Sequence, residues 1–214
     1  MYWRIFATVL SYLIFGITYA FAAAVQPGPL QTYIISQTLK KGWRSTLPAA
    51  FAPVISDIPI FILILFLLST MPDSFIFILR IGGGLFLLFL GFRAFKSWQE
   101  FDANETTLNE SGQQTLFNAV FVNLLNPAPY LGWSLIMGPT FIEGWKRTPI
   151  NGIAMIIGFY VTMILTLAGI IVLFGFARKM GPRVSKILLG FSSIVLFTFG
   201  IYQLWVGISY YVQG

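Results

Sequence analysis

The chain has 214 residues, of which 57% are hydrophobic and 9% charged, with a formal net charge of +6 and a mean hydropathy of +0.82. So few charges cannot cover a water-soluble domain, and the long uncharged apolar stretches read as membrane spans, helical because no strand-period alternation appears. Cysteine and histidine are both absent, which excludes disulfides and thiol redox chemistry and removes the commonest general base and metal ligand.

Six candidate spans follow one another: about Ile5–Gln26, Thr46–Ser69, Phe75–Phe95, Leu116–Phe141, Ile150–Phe176 and Val184–Tyr210. Each is long enough for a helix to cross the hydrocarbon, which takes about 20 residues. Backbone groups cannot stay unpaired in lipid, so helices are the expected state. The run Ile5–Val25 is longer than a signal-peptide core, which takes about 7–15 residues, and is read as an uncleaved first span. Between the third and fourth spans lies a polar linker, about residues 96–115, carrying Glu100, Asp102, Glu105 and Glu110. It divides a single transmembrane domain, residues 1–214, into halves of about 1–95 and 116–214.

The basic residues sit at segment ends, so the net charge reports topology rather than nucleic-acid binding. Lys40, Lys41, Arg44, Arg93, Lys96, Arg178, Lys179, Arg183 and Lys186 flank loops one, three and five. The opposite side has Arg4, Arg80, Lys146 and Arg147. This bias puts loops one, three and five in the cytoplasm and both termini outside. "ARKMGPRVSK", residues 177–186, would then meet anionic headgroups.

Two segments share one pattern, an amide followed by Pro-small-Pro: Gln26-Pro27-Gly28-Pro29 and Asn126-Pro127-Ala128-Pro129. "GWR" at 42–44 and "GWKR" at 144–147 open the next span in each half. The two halves therefore read as an internal repeat. Three spans are an odd number, so the second half must lie inverted, a transporter architecture built on interrupted helices. Proline removes a donor and clashes with the preceding turn, so each Pro-x-Pro ends or unwinds its helix. The freed carbonyls must face protein, water or a solute. The fold class is thus an all-α integral membrane protein, with six transmembrane helices as two inverted three-helix repeats and proline-broken helices.

"PGP" at 27–29, "GWR" at 42–44 followed by Asp57, and "FVNLLNP" at 121–127 resemble the lysine-exporter (LysE/RhtB) type of translocator over nearly the whole chain. The resemblance implies a secondary transporter that exports amino acids or related small solutes from the bacterial cytoplasm, driven by the proton gradient. It implies a multi-pass protein of the inner membrane with no cofactor. The family pattern continues Pro-Gly-Pro with Asn where Leu30 stands, and the Asn-Pro with Lys where Ala128 stands. Its second-span glycines appear here as Thr46, Ala52 and Ser56. These departures alter the polarity and shape of the implied site.

Asp57, in "PVISDIPIFILILFLL", is the one acid well inside an apolar run. An aspartate at mid-span costs about 2.5–3.5 kcal/mol, which makes it a functional candidate. Burial disfavours its charged form, so it is suited to taking up and releasing a proton or to binding a substrate ammonium. A structural role is open beside these: a neutral carboxyl holding helices together, or an N-cap where Pro59 interrupts the span. Asn123 and Asn126, near one helix face, could with Gln26 bind a solute's carboxylate or amino group, or only cap the carbonyls beside Pro127 and Pro129. Asn118, Tyr33, Tyr130 and Trp133 are further candidates, against a packing role. "IGGGLFLLFLGF", residues 81–92, lacks the context of a phosphate loop and reads as close helix packing.

Competing functions are weaker. A soft-metal cargo needs Cys or His, and a hard cation wants several carboxylates where the spans offer Asp57. Catalysis by a Ser–His pair is excluded, and a Ser–Lys pair would need a lysine well inside a span, whereas every lysine lies near an edge. A non-transporting assembly subunit gains nothing from broken helices. The partners expected are therefore a small solute, protons and the lipid bilayer, and the small-residue faces are compatible with a homodimer.

Overall fold

The computed structural model describes residues 2–26, 28–66, 73–99 and 111–213; Pro27 and residues 100–110 of the polar linker lie outside the described residues. All regular structure among the described residues is helical. Among the described residues, four stretches are long and apolar enough to cross a membrane: Ala7–Val25, Trp43–Ile64, Pro149–Lys179 and Lys186–Ser209.

Helix α1, Tyr2–Val25, is apolar on its outer face through Leu10, Ile14, Ile17 and Phe21. Two of its hydroxyls are satisfied within the helix, Ser11 donating to the Ala7 carbonyl at 2.9 Å and Thr18 to that of Ile14 at 2.9 Å. A second helix, α2, Pro29–Lys41, restarts after the break with Pro29 in its first turn, where a missing N–H costs nothing. The break is capped from the far side. Gln31 Nε2 donates to the carbonyls of Ala23 at 3.2 Å and Ala24 at 3.1 Å, which the end of α1 leaves without helical donors. The chain keeps its direction across the break. α1 and α2 lie along the same long helix α9, Pro149–Lys179, with Gly16 against Met155 and Gly42 against Arg178. The helical path therefore does not end at Gln26, where the first span was expected to end.

Gly42, at φ 87°, closes α2 by donating its N–H to the Thr38 carbonyl at 2.9 Å, a left-handed position that suits glycine. α3, Trp43–Thr46, runs through a 3-10 turn, Leu47–Phe51, into α4, Ala52–Phe66. Pro59 sits inside α4 and the helix continues through it. α5, Asp73–Gln99, follows. The fourth expected span, Leu116–Phe141, is not one helix. It is built from α6, Gly112–Leu124; α7, Pro127–Gly132; a π-helical turn, Trp133–Met137; and α8, Gly138–Arg147. Pro139 gives the reason for the π turn, because it lacks the N–H for the preceding turn and its ring crowds that turn's carbonyl. α10, Pro182–Gln213, completes the chain.

Two long pairs frame the rest: α1 beside α9, and α5 beside α10. Both rest on glycine. A Cβ at Gly158 would lie 2.7 Å from the Leu13 carbonyl oxygen. On α5 and α10, Gly84 and Gly200 face each other, and a Cβ on either would fall 2.9 or 3.0 Å from the other's carbonyl oxygen. The glycine run at 82–84 is thus a helix-packing face, as its sequence suggests. Gly83 also lets α5 press against the Leu125 carbonyl, at the second break.

Outside the apolar stretches, Lys41 ends α2 half-buried, with Nζ 3.5 Å from Thr115 Oγ1. Burial, with the cations of Lys40 and Arg93 nearby, pushes its ammonium down to about 7. In the unfolded chain it titrates near the ordinary value of about 10.4. Between these values the unfolded state binds more protons, so this group makes stability rise with pH above about 7. The melting midpoint in detergent is expected to climb between about pH 7 and pH 9. Lys41→Met should flatten that climb and raise the midpoint most at the acid end; parallel curves for the two proteins would contradict this.

Candidate functional site

The two proline breaks meet at one cavity of about 510 Å³. Gln26, Gly28 and Pro29 line it from the first break, and Asn126, Pro127 and Pro129 from the second. Asp57 of α4 and Asn123 of α6 line it too. All the residues singled out from the sequence as a substrate path are therefore at this cavity, except Pro27, which lies outside the described residues.

Each break is built from local chemistry. Asn126 caps α7, its Oδ1 accepting from the Ala128 N–H at 3.1 Å. Pro127 then occupies the first helical turn. The Leu124 carbonyl, left over at the end of α6, accepts a hydrogen bond from the Tyr130 hydroxyl at 2.8 Å. These side chains satisfy backbone groups that lipid could not, which is the condition for a break at membrane depth.

Asp57 is 3% exposed and is held by three helices. Its Oδ1 accepts from Asn123 Nδ2 at 3.3 Å. Its Oδ2 accepts from Trp133 Nε1 at 3.1 Å and from the Tyr160 hydroxyl at 3.4 Å. Asn123 Nδ2 also reaches Ser56 Oγ at 2.7 Å, and Ser56 in turn donates to the Ala52 carbonyl at 2.9 Å. The π turn begins at Trp133, whose ring packs edge-on against Phe61 and Phe159, with centroids 5.0 and 6.1 Å apart. All three donors to Asp57 are neutral. Asp57 is not an N-cap, because α4 runs unbroken through it and its side chain bonds to α6, the π turn and α9.

Other candidates fall elsewhere. Tyr33 is fully buried and is not part of the cavity wall. Asn118 accepts from Gln114 Nε2 at 3.2 Å, and Tyr130 serves the second break; neither lines the cavity. Trp133 does line it.

Arg80 of α5, Gln203 of α10 and Gln31 of α2 line the cavity without having been singled out as site residues. Tyr160, which donates to Asp57, was passed over as well. Arg80 reads in sequence as a topology charge. The signal for Gln203 was a lone amide in "IYQLWVG", residues 201–207. Leu30 and Ala128, two of the departures from the family pattern, also lie on this wall.

A cavity at the meeting point of two broken helices, with a buried carboxyl and several amides, can hold a small polar solute away from lipid. The LysE type translocator family matches the chain over residues 21–206, which takes in both breaks, Asp57, Arg80 and Gln203. Comparison with curated proteins and with solved structures finds no match. The chain belongs to the LysE type translocator family, and is a multi-pass membrane transporter of amino acids or related solutes.

Proposed function

We propose that the protein is a secondary exporter of amino acids from the bacterial cytoplasm, with proton movement coupled to export through Asp57. The observation that carries this reading is the single cavity onto which both proline breaks, Asp57 and Asn123 open. Asp57 is the acid of that wall, and its donors come from three different elements. A change in its protonation therefore alters hydrogen bonds that hold α4, α6, the π turn and α9 together. That is what coupling a proton to a conformational change requires.

The same reading takes the chain as six spans in two inverted halves. In this arrangement α1 with α2 forms one broken span, and α6 to α8 forms another. α5 and α10, the third span of each half, pack against each other through Gly84 and Gly200. Loops one, three and five face the cytoplasm on the distribution of Lys and Arg. Leu30 and Ala128 make the wall less polar than the family pattern and favour a cargo with an apolar portion.

The test is uptake of labelled amino acids into proteoliposomes under an imposed pH gradient. The expected result is uptake of a subset of the panel that collapses when the gradient is dissipated. Uptake of none of them by folded protein would overturn the cargo, and uptake indifferent to the gradient would overturn the coupling.

A further inference from the structure

Arg80 stands seven residues into α5, on the same cavity wall as Gln203 and Tyr202 and in the cavity that also contains Asp57. Its guanidinium donates to Gln203 Oε1 at 3.0 Å. Gln203 is itself 5% exposed, so the arginine is held by a buried amide rather than reaching freely for the surface. The backbone gives it room: a Cβ at Gly207 would come 3.1 Å from Arg80 Cβ. Among the described residues no acid pairs with Arg80. A guanidinium has five N–H donors in a fixed fork, and Gln203 takes one of them. A half-buried cation left with a neutral partner is costly unless an anion joins it.

The other charge of the cavity is in the complementary condition. Asp57 accepts from Asn123, Trp133 and Tyr160, all neutral. The protein thus places one guanidinium and one carboxyl on a shared cavity and pairs neither with the other. The volume, about 510 Å³, lies within the range of small-molecule sites, about 300–1,000 Å³. A solute with an anionic and a cationic end satisfies both walls at once.

We infer that Arg80, oriented by Gln203, is the receptor for the substrate's carboxylate, and that the transported solutes are those with a free carboxylate. This rests on the transporter reading above and adds to it the group that is recognised. The planar fork matches a carboxylate with two parallel hydrogen bonds, which an ammonium of lysine cannot reproduce.

The test measures selectivity in proteoliposomes. Uptake of a transported L-amino acid is competed by the same unlabelled amino acid, or by its primary amide, which keeps the ammonium and loses the carboxylate. The wild type is expected to prefer the acid over the amide by about tenfold to a hundredfold, the size of one charge-assisted hydrogen-bonded pair. Arg80→Gln should raise KM for the acid and close that gap, and Arg80→Lys should leave it partly open. The acid-to-amide ratio is independent of the amount of active protein, so a loss of folded Arg80→Gln protein leaves Arg80→Lys to decide it. Equal competition by acid and amide in the wild type, or an unchanged ratio in both variants, overturns the inference while the amino acid reading stands. A wild type that moves no amino acid overturns both.

Discussion

Asp57→Asn is expected to reduce gradient-driven uptake to the background of empty liposomes, while exchange of substrate across the same membrane without a pH gradient persists. The substitution keeps the volume and shape of the side chain and removes its proton chemistry. The hydrogen bonds indicate that the fold tolerates it. An asparagine oxygen can still accept from Trp133 Nε1 and the Tyr160 hydroxyl, the donors now on Oδ2. Its new amide would face Asn123 Nδ2, which now donates to Oδ1. That conflict is relieved if the Asn123 amide turns, because Ser56 Oγ can exchange its acceptor role toward Asn123 for a donor role. The variant should therefore be recovered folded, and a transport defect would report on the proton. Measuring gradient-driven uptake and exchange side by side from about pH 6 to pH 8 checks this. Gradient-driven uptake retained in Asp57→Asn with the wild-type pH dependence would remove Asp57 from the coupling step.

Gly16→Val should have the largest effect on stability. A Cβ at Gly16 would overlap the Met155 carbonyl oxygen and would come 3.0 Å from the Phe159 nitrogen. Both are backbone atoms of α9, which cannot rotate away as a side chain can. The reciprocal contact, Gly158 on Leu13, shows that the two backbones touch from both sides. Within a bilayer this closeness matters more than apolar area, because lipid is as apolar as the side chains and helix pairs are held by packing. Overpacking costs about 1–3 kcal/mol. At about 2–4 °C per kcal/mol for a chain of this size, the melting midpoint in detergent should fall by several degrees. Gly169→Val is the control on the same helix α9: a Cβ there meets nothing within 4 Å, and the midpoint should move little. Equal midpoints for the two variants would show that the α1–α9 crossing is looser than the geometry states.

Parts of this protein are legible without any structure because they rest on local chemistry. An apolar run long enough to cross lipid has to be a helix, since its backbone groups have no other partners. A Pro-x-Pro has to break that helix wherever it stands. Both breaks are present, at Gln26–Gly28 and at Leu125–Asn126. Asp57 could be singled out because one acid in an apolar run needs a reason whatever the fold. The helix-packing role of Gly83 and Gly84 was likewise readable, because small residues let helix backbones approach closely in a span.

What the sequence could not supply is the set of neighbours. Asp57 as an N-cap at Pro59 was a sound local reading, and the tertiary structure overrules it: α4 continues, and three other elements supply the donors. Tyr33 and Asn118 have the same composition signal as Trp133 and Asn123, yet only the latter pair lines the cavity. Helical phase and neighbour identity separate them, and both depend on which helices touch. Arg80 and Gln203 lie on α5 and α10, far apart along the chain, and become one hydrogen-bonded pair because Gly84 and Gly200 let those helices close on each other. Composition and periodicity report how each segment meets its solvent. Which side chains share a cavity is decided by the packing of helices against one another, and that is a non-local property of the folded chain.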